Sequence, residues 1–425
     1  MIRLFIIADD FTGALDTGVQ LAAQGACTRV ITRPDADLSA VAPEVEVLVL
    51  DAETRHLSPE AAAAIVGGAV RSAVRLGVPY IYKKTDSALR GNIGAELTAV
   101  LRESGCSQMT FLPAFPQIGR CTRGGVHYIG DTPVAGSVFG QDPFEPVTRS
   151  CVAELIAQQS DVPACSLPAP KDAGDLGKEP GIVIYDAQTQ EELERAGRLL
   201  MQADALHVMA GCAGFGAVLP QLLGLGARGR RGIPQLDERL LVLCGSVNPI
   251  TLAQLDTAQQ SGFARLRMTP AQKLTPDYFA SPEGLAQIAA WKKTLHECDA
   301  CIIDANDEGG NEPTAAYAKA HGLTIEDLRQ GISGALGLIM KELFDCPDLG
   351  TLLITGGDTL LQCMNRIGID EMEPIGELYA GVVLSRFTLG GRSRFVISKS
   401  GGFGEPTLLC DLLSMIRGAE KKSQD

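Results

Sequence analysis

Residues 4–13 read LFIIADDFTG, an apolar run of five residues that ends at two adjacent carboxylates. Residues 13–24 then place apolar side chains at helical spacing. A short apolar run followed by such a segment is typical of one strand–helix unit of a parallel sheet. The alternation recurs along the chain and predicts an α/β fold. Further predicted strands cover residues 29–32, 45–50, 80–83, 109–112, 182–185, 207–210, 240–244, 300–303, 351–355 and 394–398, and further predicted helices cover residues 59–75, 93–102, 191–201, 250–260, 284–296 and 325–344.

A change of composition divides this alternation into two parts. Residues 222–235 read LLGLGARGRRGIPQ, which contains four Gly, three Arg and one Pro and is typical of a linker. We therefore predict a first domain over 1–225, a linker over 226–238 and a second domain over 239–425. Each domain is predicted to be a mostly parallel sheet flanked by helices. Residues 113–149 are rich in Gly and Pro and weakly periodic, and a loop of that length usually carries function.

The acidic composition narrows the classes of partner. Lys and Arg number 37 against 51 Asp and Glu, which gives a net charge of −14. The chain therefore lacks the basic stripe that nucleic acids and anionic membranes require. No apolar run approaches the ~18–20 residues of a membrane span. We expect a cytoplasmic protein that binds neither nucleic acid nor membrane, with its 12 Cys kept as thiols in a reducing compartment.

Polar residues follow the predicted strands of the first half, where the carboxyl ends of parallel strands meet at one edge. Asp9 and Asp10 follow the first strand, Arg55 lies after the third, and residues 83–92 place three cations and a carboxylate after the fourth. Arg55 is expected to bind the carboxylate of a small hydroxylated acid, while a carboxylate accepts a hydroxyl proton. A helix N-cap is the simpler role for Asp10. Because adjacent strand residues point to opposite faces, at most one of Asp9 and Asp10 is expected to face a given ligand.

Three Gly-containing turns follow predicted strands of the second half. Glycine in such a turn lets backbone N–H groups approach an anion at the start of the next helix. Together the turns predict a site for nucleotide phosphates, although the chain has no P-loop motif. They are CGS at 244–246, TGGDT at 355–359 and SGGFG at 400–404.

These segments resemble the four-carbon acid sugar kinase family, and the resemblance covers nearly the whole chain. It implies an N-terminal domain that binds the sugar acid, a C-terminal domain that binds ATP, and an active site in the cleft between them. The implied reaction is phosphoryl transfer to the terminal hydroxyl of D-threonate, D-erythronate or a related acid, with ATP and Mg²⁺ as cofactors. The matching segments are IADDFTGA at 7–14, KKTDS at 83–87, LRGN at 89–92, DP at 142–143, PV at 146–147, and the three turns of the second half.

Carried over residue by residue, the resemblance assigns two sets of contacts. Of the two candidate bases, Asp86 is favoured over Asp10 because neighbouring cations should keep it ionised and close to the transferred group. The metal ligands and the oligomeric state stay open, a homodimer being one option. The sugar-acid set is Asp10, Arg55, Lys84, Thr85, Asp86 and Ser87, and the ATP set is Ser246, Gly356, Gly357, Asp358, Thr359 and Gly401.

Three alternatives stay open on the sequence alone. The first is a 3-oxo-tetronate kinase of the same family, although DTGVQ at 16–20 looks more like the D-threonate and D-erythronate members. The second is a non-catalytic sensor of sugar acids, which has no need of three phosphate-type turns. The third is a phosphohydrolase, whose paired carboxylates are usually two residues apart rather than adjacent. The chain departs from the family pattern at 136–139 and 405–407, which leaves the identity of the acid open.

Overall fold

The computed structural model describes residues 1–142, 145–226, 229 and 232–418. It separates the chain into two compact units, Met1–Arg231 and Gly232–Asp425. The predicted linker over 226–238 spans this division, and the arginine-rich part of that linker lies largely outside the described residues. Pro143 of the DP motif also lies outside them.

The N-terminal unit is built on a parallel sheet flanked by helices. Its strands are β1 (Leu4–Ala8), β2 (Thr28–Ile31), β3 (Val47–Asp51), β4 (Tyr80–Lys84), β5 (Gln108–Leu112), β6 (Arg120–Arg123), β7 (Val126–Ile129), β8 (Thr132–Pro133), β9 (Ala164–Leu167), β10 (Gly181–Tyr185) and β11 (Val208–Gly211). Its helices are α1 (Phe11–Ala22), α2 (Pro59–Arg75), α3 (Ile93–Ser104), α4 (Val152–Ala157), α5 (Gln190–Gln202), α6 (Ala213–Gly216) and α7 (Leu219–Leu223). The main sheet has the strand order β2-β3-β1-β4-β11-β5-β10-β9, and β6, β7 and β8 form a separate antiparallel sheet.

The central strands of this sheet form where the sequence has unbroken apolar runs. All five residues of β1 are buried, as expected for a strand that helices cover on both faces. In the parallel register Ala8 lies beside Asp51 of β3 and Lys84 of β4, and Lys84 lies beside Gly211 of β11. The residues that follow these four strands therefore share one edge, which we call the N-terminal edge.

The C-terminal unit contains a mixed sheet. Its strands are β12 (Leu240–Cys244), β13 (Ala264–Arg267), β14 (Ala300–Asp304), β15 (Thr351–Thr355), β16 (Glu371–Tyr379), β17 (Val382–Leu389) and β18 (Arg392–Lys399). Its helices are α8 (Pro249–Gln260), α9 (Pro270–Leu274), α10 (Pro282–Glu297), α11 (Glu312–Ala320), α12 (Ile325–Leu343), α13 (Gly357–Arg366) and α14 (Leu408–Ile416). Strands β13, β14, β12, β15 and β18 are parallel in that order, and β17 and β16 continue from β18 in antiparallel pairing.

The predicted fold class of two α/β units on mostly parallel sheets is confirmed. One difference concerns residues 113–149, where the small sheet β6-β7-β8 and several 3₁₀ turns replace the expected irregular loop. Strands as short as β6 and β7, which are separated only by Gly124 and Gly125, have too little apolar periodicity to be recognised in a sequence. Within the described ranges, no helix combines the length and the apolar composition needed to cross a membrane.

Candidate functional site

Arg55 joins the two carboxylates that follow β1. Its Nε and Nη2 lie 2.8 and 2.7 Å from Asp9 Oδ2, and its Nη1 donates to Asp10 Oδ2 at 2.7 Å. Although burial opposes ionisation, the charges of Arg55 and Lys84 lower the pKa of Asp9. Asp9 and Asp10 can contact the same side chain because both lie beyond the last residue of β1, where strand alternation no longer applies. Which of the two faces a ligand stays a prediction.

The start of α1 brings Asp10 close to Lys84. Asp10 caps the helix by accepting a hydrogen bond from the Gly13 N–H at 2.9 Å. A Cβ on Gly13 would lie 2.5 Å from Asp10 Oδ1 and 2.6 Å from Lys84 Nζ, so the missing side chain leaves room for both groups. Lys84 is 5% exposed, and its ammonium makes no hydrogen bond to any described residue. A buried cation without a hydrogen-bonded partner is well suited to an anionic ligand.

The segment after β4 is organised by Asp86. Its Oδ2 accepts hydrogen bonds from the backbone N–H groups of Ala88 and Arg90 at 3.2 Å each, and Arg90 adds Nε and Nη2 contacts at 2.9 and 3.1 Å. Although burial alone would raise it, the charges of Arg55 and Arg90 hold the pKa of Asp86 well below its usual range. Arg55 Nη2 is 3.8 Å from Asp86 Oδ1, which links this segment to the Asp9–Asp10 pair. Asp86 is therefore a strongly stabilised anion and a weak proton acceptor.

A buried ion pair lies next to the N-terminal edge, between β4 and α3. Lys83 Nζ lies 3.0 Å from Glu96 of α3, and both side chains are at most 1% exposed. Glu96 also accepts a hydrogen bond from the Thr54 hydroxyl, which ties the residue before Arg55 to the same pair. The backbone N–H of Thr85 donates to the Gly211 carbonyl at 2.8 Å. These contacts hold the chain in place on both sides of Lys84.

The region 113–149 adds residues to the N-terminal edge that the sequence did not single out. Arg120 of β6 donates from Nη1 to the Ser87 hydroxyl, and its guanidinium lies 5.0 Å from the centre of the Phe139 ring. His127 Nε2 is 3.0 Å from the Ser87 carbonyl oxygen. Burial lowers the pKa of His127 to about 4, so the ring is neutral at pH 7 and donates this hydrogen bond. In the sequence Arg120 and His127 lie inside the weakly periodic segment 113–149, and no motif distinguishes them from its other residues.

In the C-terminal unit the three Gly-containing turns share one edge of the sheet. Because β12, β15 and β18 are neighbouring parallel strands, the residues after Cys244, Thr355 and Lys399 lie side by side. These residues belong to the segments for which the sequence predicts contacts to ATP. We call this the C-terminal edge.

The contacts between these turns are close. A Cβ on Gly245 would clash with Thr359 Oγ1, and one on Gly401 would lie 2.9 Å from Ser246 Oγ. Gly356 precedes α13 with φ of +91°, a conformation that favours glycine. The turns thus bring together five of the six residues predicted to contact ATP, namely Ser246, Gly356, Gly357, Thr359 and Gly401.

Asp358, the sixth residue, has a separate protein contact. Its carboxylate lies 2.6 Å from Arg329 Nη1, and its side chain is 46% exposed. Among the described residues, no group of three His, Cys, Asp or Glu side chains could hold a metal ion.

Lys399 stabilises the C-terminal edge and was not predicted as a site residue. It is 2% exposed, and its Nζ donates to Thr251 Oγ1 and the Ser400 carbonyl at 3.0 Å and to the Gly401 carbonyl at 3.3 Å. Burial lowers the pKa of Lys399 to about 8. By holding the carbonyl oxygens of this turn inward, Lys399 favours outward-facing amides in the 400–404 segment.

Two family models match this chain, one over each half. A family model described as a sugar-binding N-terminal domain matches residues 4–219, and one described as a nucleotide-binding C-terminal domain matches residues 241–409. A D-threonate kinase from Salmonella typhimurium is 29% identical, with 97% of this chain and 98% of that protein covered. A D-erythronate kinase from Heliobacterium modesticaldum is 26% identical, with 96% of each chain covered.

Solved structures share the fold. A Salmonella typhimurium protein superposes with a TM-score of 0.80 at 22% identity, with 100% of both chains covered. Haemophilus influenzae protein HI1011 has a TM-score of 0.74 at 20% identity, with 97% of this chain and 99% of that chain covered. The family models together account for both units of this chain. The protein therefore belongs to the four-carbon acid sugar kinase family.

Proposed function

We propose that the protein is an ATP-dependent kinase that phosphorylates the terminal hydroxyl of a four-carbon sugar acid, D-threonate or D-erythronate, to its 4-phosphate. The observation that carries the proposal is the charge pattern of the N-terminal edge. There, Lys84 is buried without a hydrogen-bonded partner in the described part of the chain, beside Asp10, which is 25% exposed and held in place by Arg55. The ammonium group of Lys84 can bind an anionic group of the substrate, and the neighbouring carboxylate of Asp10 can accept a hydrogen bond from a hydroxyl group. A hydroxy acid carries both kinds of group.

Asp10 is the better candidate for the base in this proposal. Phosphoryl transfer needs a carboxylate that orients or deprotonates the attacking hydroxyl. Asp86 is 6% exposed and already accepts four hydrogen bonds, so it has little capacity to accept a proton from substrate. Asp10 accepts hydrogen bonds from Gly13 and Arg55 and still reaches solvent. We assign Asp86 the role of arranging Lys84, Thr85 and Ser87 for the acid.

ATP is assigned to the C-terminal edge in the same proposal. The N-terminus of α13 and the turns around Ser246 and Gly401 present backbone amides to the phosphates. Mg²⁺ usually takes one or two carboxylates and otherwise binds substrate phosphates and water, so the donors of this edge suit an ion that arrives with ATP. Asp358 is the carboxylate in the first turn of α13 and would hold it. When bound, Mg²⁺ supplies charge neutralisation for the phosphate oxygens.

The direct test is a coupled ADP-release assay of the full chain with ATP, Mg²⁺ and a panel of four-carbon acids. The panel contains D-threonate, D-erythronate, their L isomers and 3-oxo-tetronates. We expect one of the first two acids to give the highest kcat/KM. Activity confined to 3-oxo-tetronates would correct the substrate, and the absence of acid-dependent ADP release across the whole panel would refute the proposal.

Arg55→Lys is expected to lower kcat/KM for the acid at least tenfold. Lysine keeps the positive charge but cannot contact Asp9 and Asp10 together, so the two carboxylates are no longer held by one planar group. A tenfold loss corresponds to about 1.4 kcal/mol. Steady-state kinetics with the preferred acid measures the effect, and Arg71→Lys on the exposed face of α2 serves as the control. Unchanged kinetics in Arg55→Lys would mean that Arg55 has no role in the site.

A further inference from the structure

The three arginines of the N-terminal edge differ in the groups that they contact. Arg55 is held by Asp9 and Asp10, at 2.7 to 2.8 Å. Arg90 places Nε and Nη2 on Asp86 and Nη1 3.3 Å from Asp142. The guanidinium groups of both residues are therefore neutralised by carboxylates of the protein itself.

Arg120 is different. Its Nη1 donates to the Ser87 hydroxyl, but no carboxylate forms an ion pair with it among the residues that the structure describes, and its Nε and Nη2 make no hydrogen bond there. Burial lowers the pKa of Arg120 despite the nearby charge of Asp86. The Nε and Nη2 groups of this partly buried guanidinium are therefore available to donate hydrogen bonds to a ligand anion.

The orientation of Arg120 is fixed without any ligand. The guanidinium carbon of Arg120 lies over the Phe139 ring, 5.0 Å from the ring centre, and that of Arg90 lies over the same ring at 5.3 Å. The cation–π contact with Phe139 and the hydrogen bond to Ser87 together restrict the orientation of the Arg120 guanidinium. A guanidinium held in this way loses little conformational entropy when it binds a planar anion.

We propose that Arg120 binds the carboxylate of the sugar acid and thereby makes the enzyme prefer acids to uncharged polyols. The inference rests on the proposed function and adds a bidentate contact for the acid group to the single positive charge of Lys84. A carboxylate matches the Nε and Nη2 donors of Arg120 in a bidentate geometry. Arg55, which the sequence favoured for this contact, already has its donors occupied by Asp9 and Asp10. Ser87, the residue that Arg120 contacts, belongs to the predicted acid-binding set.

The test compares an acid with its reduced alcohol. D-Threonate and D-threitol share their hydroxyl groups, but the carboxylate of the first is a hydroxymethyl group in the second. The full-length chain is assayed by ADP release with both compounds at saturating ATP, as wild type, Arg120→Met and Arg120→Lys. Arg123→Met is the matched control, because Arg123 lies on the same strand, is exposed, and stacks on Tyr128 at 4.0 Å.

Arg120→Met should raise KM for D-threonate by about a hundredfold and lower the acid-to-alcohol ratio of kcat/KM by a similar factor. Arg120→Lys should raise KM for D-threonate less than Arg120→Met does, because lysine retains the positive charge but cannot make the bidentate contact. The KM for ATP and the kinetics with D-threitol should change less than about threefold. Arg123→Met should behave as wild type with both compounds.

Three results would overturn the inference. An unchanged KM for D-threonate would remove Arg120 from the acid site. If Arg120→Met lowers kcat/KM equally for acid and alcohol and also raises the KM for ATP, Arg120 contacts the transferred phosphoryl group instead. If kcat/KM falls equally for both compounds and the melting temperature of the variant is lowered, the role of Arg120 is structural. If wild type phosphorylates no four-carbon acid, the proposed function fails first, and calorimetric binding of D-threonate to wild type and Arg120→Met then decides the role of Arg120 by itself.

Discussion

Replacing Asp10 by Asn is expected to lower kcat by about a hundredfold or more, while the dissociation constants of acid and nucleotide change little. Asparagine has nearly the same shape, and its side-chain oxygen can still accept the Gly13 N–H and cap α1. It cannot accept a proton from the attacking hydroxyl. The effect should therefore appear in single-turnover and steady-state kcat and not in calorimetric binding of either ligand.

Asp86→Asn provides the contrast. Asn cannot accept all the hydrogen bonds that Asp86 receives from Arg90 and from the backbone at Ala88, and it removes a negative charge between Arg55 and Arg90. The segment that carries Lys84 should loosen, so KM for the acid should rise at least about tenfold. If Asp86→Asn instead lowers kcat about a hundredfold with normal acid binding, and Asp10→Asn keeps more than about a tenth of wild-type kcat, Asp86 is the base, as the sequence predicts.

The sequence predicts the N-terminal edge because the strands before it are buried on both faces. Such strands appear as unbroken apolar runs, and β1 has the predicted bounds of 4–8. The same holds for β12 of the C-terminal unit, which has the predicted bounds of 240–244. The residue after each run then lies at the carboxyl edge, which is why the sequence alone groups Asp10, Arg55 and Lys84. Their partners could not be predicted, because the Arg55 contact with both carboxylates depends on the turn beyond β1.

Local sequence patterns do not predict the structure of residues 113–149 or of the β16–β17 hairpin. Arg120 and Phe139 reach the N-terminal edge through a small sheet whose position depends on tertiary packing rather than on local periodicity. Pro374 and Gly376 lie within β16, and the register of its pairing with β17 shifts between them. Both residue types normally argue against a strand, so the local pattern does not predict one there.

Gly357→Val is expected to weaken ATP binding at least a hundredfold, about 2.8 kcal/mol, in calorimetry of the full chain. Gly357 is the first residue of α13, and its backbone is helical, so a side chain fits the local conformation. A branched side chain there would nevertheless keep phosphates from approaching the first amides of α13 to ~3 Å. Binding of the sugar acid, which is assigned to residues of the other unit, should be unchanged, and an unchanged melting temperature would show that the C-terminal unit of the variant is folded.

The control for Gly357→Val is Gly334→Val, which adds the same side chain to a helical residue of α12. A Cβ at Gly334 would meet only the end of the Arg366 side chain, at 3.7 Å, so it should be accommodated without effect on ATP. Normal ATP affinity in Gly357→Val would remove the α13 N-terminus from the nucleotide site. Equal losses in both variants would mean that the C-terminal unit tolerates no added volume in these helices, and the specific role of Gly357 would then be refuted. A loss confined to Gly357→Val would leave direct obstruction of the phosphates as its cause, because the added volume and the helical backbone are matched between the two variants.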